Sequence, residues 1–175
     1  MANLQPFIKF ALLFSLVGIV TKLVLWQKGL LLDNPEYAGM GYLLSIMMAC
    51  FFSLYTIRRS HSVNSKYIND YKYGMKSVAI TALIISVFTY GFYEYIDPEY
   101  FPNRISTVIE KAEAVDPSTI KSPIDLTKED IIKNQTRNAK FMYNSANHSV
   151  ISLFLFLLLG AIYSTFVTWL VRKFT

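Results

Sequence analysis

Four apolar stretches, each about as long as a bilayer is thick, leave this chain few ways to fold. They run from Phe7 to Trp26, Ala38 to Ile57, Ser77 to Ile96 and Ser149 to Val171. A helix needs about 20 predominantly apolar residues to cross a hydrocarbon core of about 30 Å. In lipid every backbone N–H and C=O must be satisfied within the segment, which leaves helices or closed barrels. The expectation is an all-α membrane protein with four transmembrane helices. The 175 residues form one domain, and residues 97–148 make a helical insertion between the third and fourth spans. Charged residues make up only 17% of the chain, below the roughly 25% of soluble domains, which fits that class. The first span is read as uncleaved: its apolar run is longer than a signal h-region, and Gln27-Lys28-Gly29 is not a small-residue cleavage site.

The net charge of +5 does not point to nucleic acid, because the charges sort by loop instead of gathering in one patch. The first loop sets Lys28 against Asp33 and Glu36. The second sets Arg58, Arg59, Lys66, Lys72 and Lys76 against Asp70 alone, and the fourth span ends in Arg172-Lys173. Lysine and arginine are retained on the cytoplasmic side. Both termini and the second loop are therefore expected inside, with residues 97–148 outside.

That outer segment has its own pattern. Ile105, Val108, Ile109 and Ala112 follow helical spacing, and Pro98, Pro102, Asp116-Pro117 and Pro123 punctuate the chain around them. Thr127 reads as an N-cap with Glu129 and Asp130 in the first turn. No proline or glycine follows from Lys128 until Gly160, so one helix is expected to run unbroken into the last span. Ile132, Ala139, Met142 and Ala146 form a sparse apolar stripe along it, either packing on the Ile105 helix or docking another protein. The Asn134-Gln135-Thr136 and Asn147-His148-Ser149 triplets fit the glycosylation pattern, which matters only in a eukaryotic secretory setting.

Helices in lipid associate through small residues that let backbones approach. Gly41, Ser45, Ala49 and Ser53 line one face of the second span; Gly160, Ser164 and Thr168 do so in the fourth, and Ala82 and Ser86 in the third. These stripes are read as the bundle seam, with a homo-oligomer or partner contact as the alternative. Charge at membrane depth is costly and marks function by default. Lys9 lies near a span end and snorkels. Lys22 and Glu94 lie at the same depth in the outward-running first and third spans, and are expected to pair.

Chemistry is sparse. Cys50 is the only cysteine and sits inside the second span, so no intramolecular disulfide forms. His61 and His148 fall on opposite sides of the membrane in this arrangement and share no metal. Asp97-Pro98-Glu99 reads as a helix-ending turn and Gly91 as a local kink. No catalytic, metal or cofactor pattern is present, so the expectation is a non-enzyme without cofactors.

The run Tyr71-Lys72-Tyr73-Gly74-Met75-Lys76-Ser77 entering the third span, and Phe92-Tyr93-Glu94-Tyr95-Ile96-Asp97-Pro98-Glu99-Tyr100-Phe101 closing it, resemble the domain-of-unknown-function 4199 family of small four-helix membrane proteins, mainly of Bacteroidota. The detailed likeness covers about residues 65 to 105; elsewhere it is one of layout. It implies a bacterial inner membrane and transfers no activity or site residue. The leading functional expectation is a non-catalytic membrane subunit or scaffold that binds another membrane or periplasmic protein. The alternatives are a small oligomeric transporter or channel, and an anchor for a peripheral enzyme acting on lipid-linked substrates. In the last case the basic second loop, with Tyr67, Tyr71 and Tyr73, faces anionic lipid or that enzyme.

Overall fold

The computed structural model describes residues 5–60, 65–114 and 127–174. His61, Asp116, Pro117 and Pro123 lie outside them. Every element among the described residues is a helix: α1 (Pro6–Gln27), α2 (Leu30–Asp33), α3 (Pro35–Ser60), α4 (Tyr67–Gly91) followed by a π-helical turn (Phe92–Ile96), α5 (Tyr100–Ala114), α6 (Lys128–Met142) and α7 (Ser145–Phe174). Four stretches are long and apolar enough to cross a membrane: Pro6–Gln27, Pro35–Ser60, Tyr67–Ile96 and Ser145–Phe174. Each contains one of the four apolar runs.

Contacts gather into two compact units, residues 1–88 with 151–175, and residues 89–150. The first holds the bulk of the four candidate spans. Its core comes from α3 (Tyr42, Ile46, Cys50, Leu54), α4 (Val78, Ala82, Ile85) and α7 (Phe156, Val167, Val171), while α1 packs along α3. Leu12, Leu16 and Val20 on α1, and Phe154, Leu158 and Ile162 on α7, are exposed. An apolar surface this large on a water-soluble protein would be an association or aggregation site. On a helix that is apolar all round it is the surface that lipid covers. The chain is a multi-pass membrane protein.

Four of the buried hydroxyls are satisfied within their own helices. Ser15 donates to the Ala11 carbonyl (2.6 Å), Ser45 to Gly41 (2.9 Å), Ser53 to Ala49 (2.6 Å) and Thr81 to Ser77 (2.8 Å). This i−4 bond lets serine and threonine sit at membrane depth without an orphaned donor. The α1–α2 turn depends on Gly29, whose φ of 69° is left-handed and free of strain only for glycine.

Two expectations need correction. The second loop is mostly helix: α3 continues to Ser60 and α4 starts at Tyr67, ten residues before the apolar run that begins at Ser77. Its polar residues hide this, but 65–73 contains no proline or glycine, and helical backbone satisfies itself equally well in the headgroup region. The helix expected to run unbroken from Lys128 instead breaks at Tyr143–Asn144. The Asn144 side-chain oxygen accepts from the Ala146 and Asn147 amides (3.1 and 3.3 Å), capping α7 and offering the backbone an alternative to helix.

In the second unit the chain leaves Gly91 in a π-turn closed by the Asp97 amide on the Phe92 carbonyl (2.9 Å). α5 and α6 pack on each other. Thr127 caps α6 through a reciprocal box: its hydroxyl accepts from the Asp130 amide (3.2 Å), and its own amide donates to the Asp130 carboxylate (3.3 Å).

Candidate functional site

The most concentrated polar chemistry lies where the C-terminal ends of α3 and α7 meet the start of α4. Asp70 is the lone acid among the basic residues of that stretch. It stands in the first turn of α4, where the helix dipole favours a negative charge. Helical spacing turns it inward, and it is only 2% exposed. Its carboxylate accepts from Arg172 of α7 (2.5 Å), from Arg58 of α3 (3.2 Å) and from the Ser65 hydroxyl (2.6 Å). Arg172 also donates to the Ser65 carbonyl (2.9 Å), and Arg58 to the Ser65 hydroxyl (3.1 Å). The Arg58 side chain is nearly as buried as the acid it meets. One buried carboxylate thus ties three helices together.

Beside this cluster opens a cavity of about 460 Å³, lined by Ile57, Arg58, Ser65, Asn69, Asp70, Lys72, Tyr73 and Lys76. Lys72 and Lys76 are both exposed and one helical turn apart on α4. The Lys76 ammonium lies 5.4 Å from the Phe7 ring centre and 5.3 Å from that of Tyr73, and those rings are 6.0 Å from each other. An aromatic wall holds a cation at the rim without neutralising it. Chemically the rim of this cavity is cationic, with Lys72 and Lys76 exposed along it. The sequence offered one signal for it, a single acid among five basic residues. It could not show that Arg172, more than a hundred positions away, completes the cluster.

The small-residue stripes lie at helix crossings inside the first unit. A Cβ on Gly41 would meet Thr21 of α1 at 3.0 Å, and one on Gly18 would meet Ser45 at the same distance. Ala49 is buried, and the Ser53 hydroxyl lies 2.9 Å from that of Ser77 on α4. Between α4 and α7, Gly160 leaves no room for a Cβ against Val78, and Gly74 faces Ser164, Leu54 and Cys50. Thr168, Ala82 and Ser86 are buried.

Lys22 and Glu94 fall in different units. Lys22 is 1% exposed and its ammonium lies 5.8 Å from the centre of the Tyr42 ring. Glu94 is exposed on the π-turn. Of the apolar stripe on α6, Ala139 is buried and Ile132 half-buried, while Met142 is exposed; Ala146, also exposed, belongs to α7 because of the break at Asn144. Phe141, which the spacing argument passed over, is the more exposed neighbour, at 60% against 44% for Met142. The second unit also gathers an aromatic cluster. Tyr93 lies 4.3 Å from Phe101 and 4.9 Å from Tyr100 between ring centres, and His148 sits edge-on to Tyr93 and Phe101 at 5.4 and 5.3 Å. No group of three or more metal-ligating side chains occurs among the described residues.

A family model described as "Protein of unknown function (DUF4199)" matches residues 9–173. No curated protein and no solved structure matches the chain.

Proposed function

The chain belongs to the DUF4199 family, and from that premise we propose that it is a non-catalytic inner-membrane subunit that docks a second protein through the α5–α6 hairpin. The observation that carries this is the exposure of Phe141 and Met142 at the end of α6, a helix outside the candidate spans and otherwise rich in lysine, arginine and asparagine. Lipid-facing apolar residues on the spans need no partner. Two large apolar side chains on a short polar helix outside them form a surface that a partner protein would dry. The lysine and arginine bias of the second loop and C-terminus supports both termini in the cytoplasm and the hairpin in the periplasm. The absence of a catalytic pattern in the sequence supports a binding role, with lipid and protein, not nucleic acid, as partners.

A photo-crosslinking amino acid at position 141, activated in native membranes, tests the reading. One discrete adduct with a different protein is the expected outcome. An adduct at twice the mass of this chain alone would favour the homo-oligomeric transporter reading. No adduct would overturn the docking role.

A further inference from the structure

We propose that the cavity at the junction of α3, α4 and α7 is a binding site for a phosphate group, presented by an anionic phospholipid headgroup or as free phosphate. The inference rests on the cavity alone and is independent of what the α5–α6 hairpin docks.

Charge is the first argument. Arg58, Lys72 and Lys76 line the cavity against a single carboxylate, Asp70. That carboxylate is not a free anion facing the space. It is held by Arg58, by Ser65 and by Arg172, which approaches from α7. Among the described residues, two arginines on one carboxylate leave a surplus positive charge in the cluster, and the two lysines add to it.

The second argument is local. Lys72 and Lys76 stand at i and i+4 on one helix, a spacing at which like charges repel. Exposed lysines commonly splay apart into water. Lys76 is instead held over the Phe7 and Tyr73 rings at the rim. An anion bridging the two ammonium groups turns this repulsion into attraction, and charge-assisted hydrogen bonds to phosphate are among the strong ones.

Composition and place make the third argument. The remaining lining supplies the Tyr73 hydroxyl and the Asn69 amide, both able to donate to phosphate oxygens, and the apolar Ile57, while the Ser65 hydroxyl is committed to Asp70. The volume of about 460 Å³ accommodates a phosphate with part of a headgroup. The site lies at the ends of three helices that carry apolar spans, on the face whose basic residues mark the cytoplasmic side, where anionic lipids attract such clusters.

The test uses the full chain in nanodiscs and detergent. Binding of phosphatidylglycerol is measured by native mass spectrometry against phosphatidylcholine, and binding of inorganic phosphate by calorimetry in detergent. In a cavity site each of the two lysines makes a charge-assisted hydrogen bond to the phosphate, an interaction that surface lysines and arginines outside the cavity do not make. The double variant Lys72→Gln/Lys76→Gln is therefore expected to weaken binding by about 30-fold or more. A control, Arg59→Gln/Lys66→Gln, removes the same charge outside the cavity and is expected to change binding by no more than a few-fold. Selective loss of phosphatidylglycerol in the cavity variant identifies a headgroup site. Selective loss of inorganic phosphate, with lipid unaffected, identifies a free-phosphate site. Equal losses in both variants would reduce the effect to general surface attraction and overturn the proposal, as would the absence of binding in the unmodified chain. All four substituted residues except Arg59 lie on or beside α4 and all are exposed, so unchanged thermal stability without ligand separates loss of binding from loss of fold.

Discussion

Asp70 shows how one side chain can set the arrangement of three helices. Taking a carboxylate out of water costs several kcal/mol, which is recovered only if its oxygens are fully engaged. Here Arg58, Arg172 and Ser65 engage them. Removing the acid alone leaves the Arg58 guanidinium buried beside a second cation. Asp70→Ala is therefore expected to destabilise the bundle by about 3–5 kcal/mol, measured as the shift in an SDS or urea unfolding midpoint. The combined variant Asp70→Leu/Arg58→Met/Arg172→Met removes the charges together and is expected to be at least as stable as Asp70→Ala. A triple variant markedly weaker than the single would mean the cluster contributes more than mutual neutralisation. Gly160 is a steric counterpart. An alanine there would gain up to about 1 kcal/mol in helix propensity. Its Cβ, however, would run into Val78, whose branched side chain has little freedom to turn away. Gly160→Ala is expected to cost about 1–3 kcal/mol net. Val78→Ala in the same chain should return at least about 0.5 kcal/mol of it, as double-mutant analysis of unfolding would show.

At the scale of elements, polar residues decide where helices stop, and that is where the sequence was hardest to read. Continuous apolar runs located every candidate span, because a bilayer demands both length and greasiness. The same criterion is blind to helix beyond the hydrocarbon, so the first turns of α4 looked like a loop and Asp70 like one more loop charge. The break before α7 carries neither glycine nor proline; its signal is Asn144, whose side chain competes for the amides of the next turn. Asn144→Ala is expected to cost about 1 kcal/mol locally, seen as faster hydrogen exchange at Ala146 and Asn147. Thr127, by contrast, was legible as a cap, and its partner Asp130 gives α6 an acid-sensitive end. Hydrogen bonds from the Thr127 side chain and backbone hold the exposed Asp130 carboxyl below its ordinary value of 3.8. A lowered carboxylate stabilises the fold above its ordinary value and stops doing so as pH falls through the lowered one. Amide protection in the first turn of α6, taken relative to the intrinsic exchange rate at each pH, is expected to be flat through neutral pH and to fall only below about pH 3.8. Loss of protection near neutral pH would mean that another group governs this helix end.

For the whole molecule, the deciding question is which side each polar region faces, because the proposed phosphate site and the proposed docking hairpin have cellular meaning only on particular sides. Lysines and arginines at the ends of α3, α4 and α7 resist transfer across the membrane, and four spans return the chain to the side where it started. The arrangement can be mapped without removing the native thiol. Cys50 is buried in the core of the four-helix unit and out of reach of bulky aqueous reagents. Lys66 and Lys133 are both exposed, one at the start of α4 and one on α6. Single Lys66→Cys and Lys133→Cys variants, treated with a membrane-impermeant maleimide, are expected to differ. Position 133 should label in cells whose outer membrane alone has been opened, and position 66 only after the inner membrane is breached. The reverse pattern would place the basic cavity in the periplasm, facing the opposite leaflet. It would leave the geometry around Asp70 intact while removing the argument from cytoplasmic anionic lipid. Labelling of both positions before the inner membrane is opened would contradict an odd number of crossings between them. It would then follow that Tyr67–Ile96, the one candidate span among the described residues between the two positions, does not cross the bilayer.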